Sequence, residues 1–123
     1  MEYKGFRDLK VYQLSYKMAF EIFKITNTFP KDEKYSLVDQ IRRSSRSVAT
    51  NLSEAWLKRK YEKTFIAKLY DCYGEAGETE VWLDMSKDCG YINEESHKYF
   101  TDQYTEIGKM IWGMIQKPDK FCH

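Results

Sequence analysis

The sequence predicts an all-α protein, an up-down-up-down antiparallel four-helix bundle built from residues 1–123 as a single domain. Three observations carry this. Apolar residues recur at steps of three and four through four long segments, the spacing that lines one face of a helix. The connections between those segments are only a few residues long, so consecutive helices must run antiparallel. Finally, 2 prolines and 6 glycines leave little turn chemistry for a loop-rich β design.

The first helix is expected over about residues 8–28. Leu9, Tyr12, Tyr16, Ala19, Phe20 and Phe23 make one apolar stripe, and Val11, Met18, Ile22 and Ile25 extend it. An arc this wide exceeds what one neighbour covers, so it requires two helices, or one helix and another subunit. Phe29-Pro30 closes the segment, because proline keeps the residue before it out of helical geometry.

The second helix is expected over 36–57. Ser36 is placed to accept from its first N–H groups, and Asp39 favours the positive helix start. Leu37, Ile41, Ser45, Val48, Leu52 and Ala55 form its inner face. Ser44, Ser45, Ser47, Ala49 and Ser53 keep its surface slim, which suits a central or interfacial helix. Serine, threonine and asparagine also compete for backbone hydrogen bonds, so this helix needs tertiary support.

The third helix, over 62–88, has Phe65, Leu69, Cys72, Ala76, Thr79 and Leu83 as its core face, widened by Tyr61, Ile66, Tyr73 and Trp82. Gly74 and Gly77 each cost about 1 kcal/mol relative to alanine. Close helix contact is the expected compensation. Gly90 stops the helix. Asn93 caps the fourth helix, over 94–117, with Glu94 and Glu95 in its first turn. Phe100, Tyr104, Ile107, Ile111, Met114 and Ile115 are its core stripe, and Pro118 ends it before a short tail.

With 42% apolar and 16% aromatic residues the chain can bury a real core, which argues against disorder. No run of about 18 apolar residues exists, so no membrane span is expected. The first ten residues lack the apolar stretch of a secretory signal, and the expected location is cytoplasmic. Cys72, Cys89 and Cys122 fit neither a disulfide framework nor a CxxC metal site. No GxGxxG or GxxxxGK[ST] phosphate loop occurs.

Charge is unevenly placed. Residues 1–60 carry 13 basic and 7 acidic side chains, and residues 61–123 carry 7 basic and 12 acidic. The asymmetry fits an anionic partner, or two halves packing with complementary charge. Arg42, Arg43 and Arg46, with Lys58, Arg59 and Lys60 further along, allow the same two readings. Arginine forks suit phosphate oxygens. An inward arginine instead needs a carboxylate, and pairing with Glu54, Glu78 or Glu80 is expected for at least one of Arg42 and Arg43. Arg46, Lys58, Arg59 and Lys60 are the candidates for nucleic-acid contact.

Glu94-x-x-His97 is the one metal-like spacing. A carboxylate di-iron bundle needs two such pairs and two further glutamates, whereas the only other histidine is His123. No metal and no cofactor are expected. The serines of the second helix lack a histidine placed to activate them. The ten tyrosines and three tryptophans could stack on bases, although helical spacing makes most of them core or interface. Trp56, Trp82 and Trp112 are the candidates among these for another role, and Trp56 follows the small-residue helix, where a subunit contact would bury it.

Several segments resemble a known family, the four-helix-bundle proteins encoded in intervening sequences of bacterial 23S ribosomal RNA genes. Residues Phe6 to Tyr12 resemble its opening FxDLxVW/Y, and Phe29 to Arg43 resemble its FPxxEKYxLxxQIRR block. Asn51-Leu52-Ser53-Glu54 is similar to its N-I-A-E segment. Leu83 with Cys89-Gly90-Tyr91-Ile92, and Ile107-Gly108-Lys109-Met110, resemble its L…LGYL turn and IGKML helix. Ala55-Trp56 and Ala49 stand where the family favours glycine and proline. The resemblance implies a left-handed bundle assembled as a pentamer. It also implies kinship with the accessory variability determinant of diversity-generating retroelements, a basic pentamer that binds nucleic acid and a reverse transcriptase.

The resulting expectation is a non-enzymatic homo-oligomeric scaffold or accessory factor for RNA, DNA or a nucleic-acid enzyme. The alternative is a protein–protein adaptor with no nucleic-acid role.

Overall fold

A computed structural model describes residues 3–123 as four α-helices joined by short turns. They are α1 (Lys10–Thr26), α2 (Leu37–Leu57), α3 (Glu62–Asp88) and α4 (Glu94–Gln116), with single 3₁₀ turns at Phe6–Asp8, Lys31–Glu33 and Pro118–Lys120. Each helix packs on the next and α1 closes against α4, while the diagonal pairs stay apart. The chain is therefore an all-α four-helix bundle, and the α1/α2 side lies opposite the α3/α4 side. None of these helices is long and apolar enough to cross a membrane.

The α2–α3 contact is the most extensive, and α1–α4 the thinnest. The small side chains of α2 explain this. Ser44 and Ser45 are fully buried, and Ser44 Oγ lies 2.8 Å from Thr79 Oγ1 across the interface. Thr79 itself donates to the Glu75 carbonyl at 2.8 Å, so the hydroxyls form a satisfied chain in the core.

The inner faces expected for α2, α3 and α4 are all buried; α1 differs. Its core contacts come from Val11, Ser15, Met18, Ile22 and Thr26, while Tyr16, Phe20 and Phe23 stay exposed. Ser15 and Thr26 can face inward because each hydroxyl donates to the carbonyl four residues back, at 2.7 Å. Tyr61 and Tyr73, expected to widen the α3 core, are exposed as well.

The α3–α4 turn has the geometry of a Schellman motif. Gly90 takes φ +79°, Tyr91 N–H donates to the Ser86 carbonyl at 2.8 Å and Gly90 N–H to that of Lys87 at 2.9 Å. Asn93 Oδ1 then accepts from the Ser96 N–H at 2.8 Å. Ser36 does not cap α2 in this way. Its backbone, at φ −126° and ψ −100°, is outside the extended geometry of a capping residue, and its hydroxyl instead donates to Glu33 Oε1 at 2.6 Å.

Gly74 and Gly77 face no neighbouring helix: a Cβ at either would meet nothing within 4 Å. The glycine at a helix contact is Gly108, where an added Cβ would stand 3.7 Å from the Tyr73 ring. Nothing in the structure explains Gly74. The tail is packed against the bundle end. Phe121 folds back with ring centroids 6.0 Å from both Phe65 and Tyr3, and Tyr3 meets the edge of Trp56 at 5.9 Å. Trp56 is thereby buried by residues of its own subunit, without need of a second copy.

Candidate nucleic-acid interface

Three arginines leave α2 in different directions. A step of one residue turns the helix by about 100°, so consecutive Arg42 and Arg43 meet different neighbours. Arg42 reaches the C-terminal end of α1. Its Nε donates to Thr26 Oγ1 at 2.9 Å, and its Nη2 to the Phe23 carbonyl at 3.2 Å and Asn27 Oδ1 at 3.1 Å. The guanidinium also lies 4.7 Å from the Phe23 ring centroid. A cation there complements the negative end of the helix dipole. The ion pair expected of Arg42 is therefore replaced by a helix cap.

Arg43 reaches α3, pairing with Glu75 at 3.0 Å and with Glu78. Glu54 pairs with Lys68 at 2.8 Å, not with an arginine; that hydrogen bond and the lysine charge hold its carboxyl below the usual range. Part of the charge asymmetry between the two halves is thus spent on α2–α3 pairing.

Arg46 is exposed, lies 5.8 Å from the Phe23 ring and has no carboxylate within ion-pair distance among the described residues. Together with Lys34, Tyr35, Arg42, Arg43 and Asp39 it lines an open concavity of about 540 Å³ beside the start of α2. Lys34 Nζ lies 5.3 Å from the Tyr35 ring, and Tyr35 is 84% exposed. Below it, Glu33 is held under the usual carboxylate range, first by the Ser36 hydroxyl and then by the Tyr91 hydroxyl donating at 2.7 Å.

The structure does not join Arg46 to the other expected cations. Lys58 and Lys60 are exposed at the far end of α2, about 18 Å along the axis from Arg46. Arg59 is not free. Its guanidinium lies 4.0 Å from the Trp56 ring and donates to the Trp56 carbonyl at 3.0 Å. The aromatic surface keeps that side chain half-buried. Lys34 and Tyr35 are the site residues that sequence reasoning missed. The exposed position of Tyr35 follows from the 3₁₀ turn, which carries no periodic signal.

Two aromatic surfaces flank this site. Phe6, Tyr12, Tyr16, Phe20 and Phe23 line an open groove of about 490 Å³ between α1 and α2, with Arg46 on its rim. On the opposite side, Trp112 stands 5.9 Å from Tyr73 and 6.4 Å from Tyr70. Beneath them is a cavity of about 380 Å³ that Glu80 and Tyr104 help to line. Burial, then the neighbouring Asp84, pushes the Glu80 carboxyl up. His97 is hydrogen-bonded to Asp84 at 2.7 Å, and no three potential ligands stand together as a metal site among the described residues.

A model of the family described as 23S rRNA-intervening sequence protein matches residues 7–113. The chain is also similar to a crystal structure from Bacteroides thetaiotaomicron VPI-5482, described as a protein of unknown function from the S23 ribosomal protein family. The two superpose with a TM-score of 0.79 at 30% identity, over 86% of this chain and 95% of that one. No curated protein matches.

Proposed function

We propose a function from one premise, that the chain belongs to the 23S rRNA-intervening sequence protein family. It is a non-enzymatic, cytoplasmic, self-associating scaffold or accessory factor that engages nucleic acid, or an enzyme acting on nucleic acid, through the basic side of α2. One observation carries the reading: Arg46 and Lys34 share a concavity with Arg42 and Arg43, beside a large exposed aromatic ring. Lys58 and Lys60 form a second, detached basic end. Self-association is supported by the two uncovered aromatic surfaces, which lie on opposite sides of the bundle. Two different surfaces join copies head to tail, and such contacts form a ring where the rotation between copies closes. Five copies is the number implied by the family resemblance.

The test is native mass with a short labelled nucleic acid at low and high salt. Binding at low salt that weakens with salt, and weakens further in Arg46→Ala, is the expected result. A second reading, a protein adaptor, is favoured by the internal use of Arg42 and Arg43. An oligomer that stays bare at low salt establishes that reading over the first.

A further inference from the structure

We infer that the concavity at the start of α2 takes a short unpaired run of a single strand, with one base stacked on Tyr35, the neighbouring phosphate held by Lys34 and a phosphate further along the strand held by Arg46. The inference rests on the nucleic-acid reading above and names the form of nucleic acid that the site selects.

Charge argues first. The whole chain has a net charge of +1, and two of the four cations in the concavity are engaged elsewhere, Arg42 on the end of α1 and Arg43 on Glu75 and Glu78. Asp39 adds a negative group to the wall. Duplex binding draws its affinity chiefly from neutralising many phosphates. A site with two disengaged cations is poor at that. Its affinity must come from a contribution independent of charge.

Tyr35 supplies that contribution. Tyr61, in the turn before α3, is a second exposed ring with a lysine, Lys60, 6.0 Å from it, but it is less exposed than Tyr35 and lines no concavity with the α2 arginines. Tyr35 sits in the turn before α2, 84% exposed, with Lys34 Nζ against its ring. A cationic groove with an aromatic platform is the arrangement that binds single strands, since every unpaired base offers a face for stacking. In a duplex those faces are already stacked on one another, and the ring has nothing to meet. From Ser36 to Arg46 the helix rises about 15 Å, enough for a short run of nucleotides between the platform and the arginine.

Fluorescence anisotropy of the full chain tests this, using a labelled 12-nucleotide oligo(U), the matching oligo(dT), and the oligo(dT) annealed to its complement. The single strands are expected to bind more tightly than the duplex. Tyr35→Ala should weaken single-strand binding between about fivefold and about 150-fold without changing the salt slope, while Tyr35→Phe retains it. Arg46→Ala should lower the slope by about 0.7. Tyr35 is exposed, so neither of its variants threatens the fold. Equal or tighter duplex binding, or a Tyr35→Ala variant with unchanged single-strand affinity, overturns the inference and leaves the nucleic-acid reading standing. Absence of binding by all three probes at low salt overturns both.

Discussion

Arg42 and Arg43 are adjacent in sequence and act on different helices. One caps α1 and the other bridges to α3. Their pattern announces an arginine cluster, but the rotation between consecutive positions sends each to a neighbour that only packing identifies. The same holds for Arg59, whose partner is the ring three residues earlier. The carboxylates at this scale set the response to acid. Glu33 and Glu54 lie below the usual value of 4.5, held there by the Ser36 hydroxyl and by Lys68. A depressed folded pKa adds stability that is full above the unfolded value and is lost as pH falls through the folded value. Lys68 is raised above 10.5 by the same pair, so its share is present below that pH and is lost above it. Glu80, raised by burial, works against folding when ionised and is relieved by acid. The thermal midpoint should therefore fall as pH drops below about 4.5. A Glu33→Gln/Glu54→Gln double variant should show a flatter acid limb; equal slopes by calorimetry would sink this assignment.

Among the elements, α2, α3 and α4 were legible because their apolar periodicity coincides with one buried face. Two local signals misled. Ser36 takes a backbone conformation from which its side chain does not cap the helix, and the α3 glycines face open space. Gly74 is exposed inside a helix, where an added methyl group would meet nothing within 4 Å. Gly74→Ala should stabilise the protein by about 1 kcal/mol, because alanine loses less conformational freedom on folding. Denaturant unfolding should show a higher midpoint at unchanged m value. A loss of stability would mean that position 74 contacts something in the assembly. At the α3–α4 turn the opposite is expected. Gly90 holds φ +79°, which an L side chain adopts at a cost, so Gly90→Ala should destabilise by about 1 kcal/mol. Asn93→Ala should remove the cap from Ser96 and cost about 1 kcal/mol, read by the same unfolding curves.

For the whole molecule, the decisive feature is that opposite sides carry unlike aromatic surfaces. Phe20 is 56% and Trp112 41% exposed, one on α1 and the other on α4. If copies join head to tail, Phe20→Glu and Trp112→Glu should each reduce the native mass to that of a monomer. Each variant then keeps one intact surface, and an equimolar mixture should recover a heterodimer by analytical ultracentrifugation. A mixture that stays monomeric would exclude head-to-tail pairing. The wide arc of α1 already implied more than one neighbour. Its sequence could not say which stripe faces inward, because Phe20 and Phe23 are as apolar as Met18 and Ile22. Periodicity by itself determined the four helices, their order and three of the four inner faces, since burying a regular stripe is a local requirement repeated along each element. Only the tertiary structure decided which side of α1 is core, which arginines are engaged, and that Lys34, Tyr35 and Arg46 line one concavity. Those outcomes depend on what each side chain finds across the helix contacts and in the turn before α2, and helical spacing does not record that.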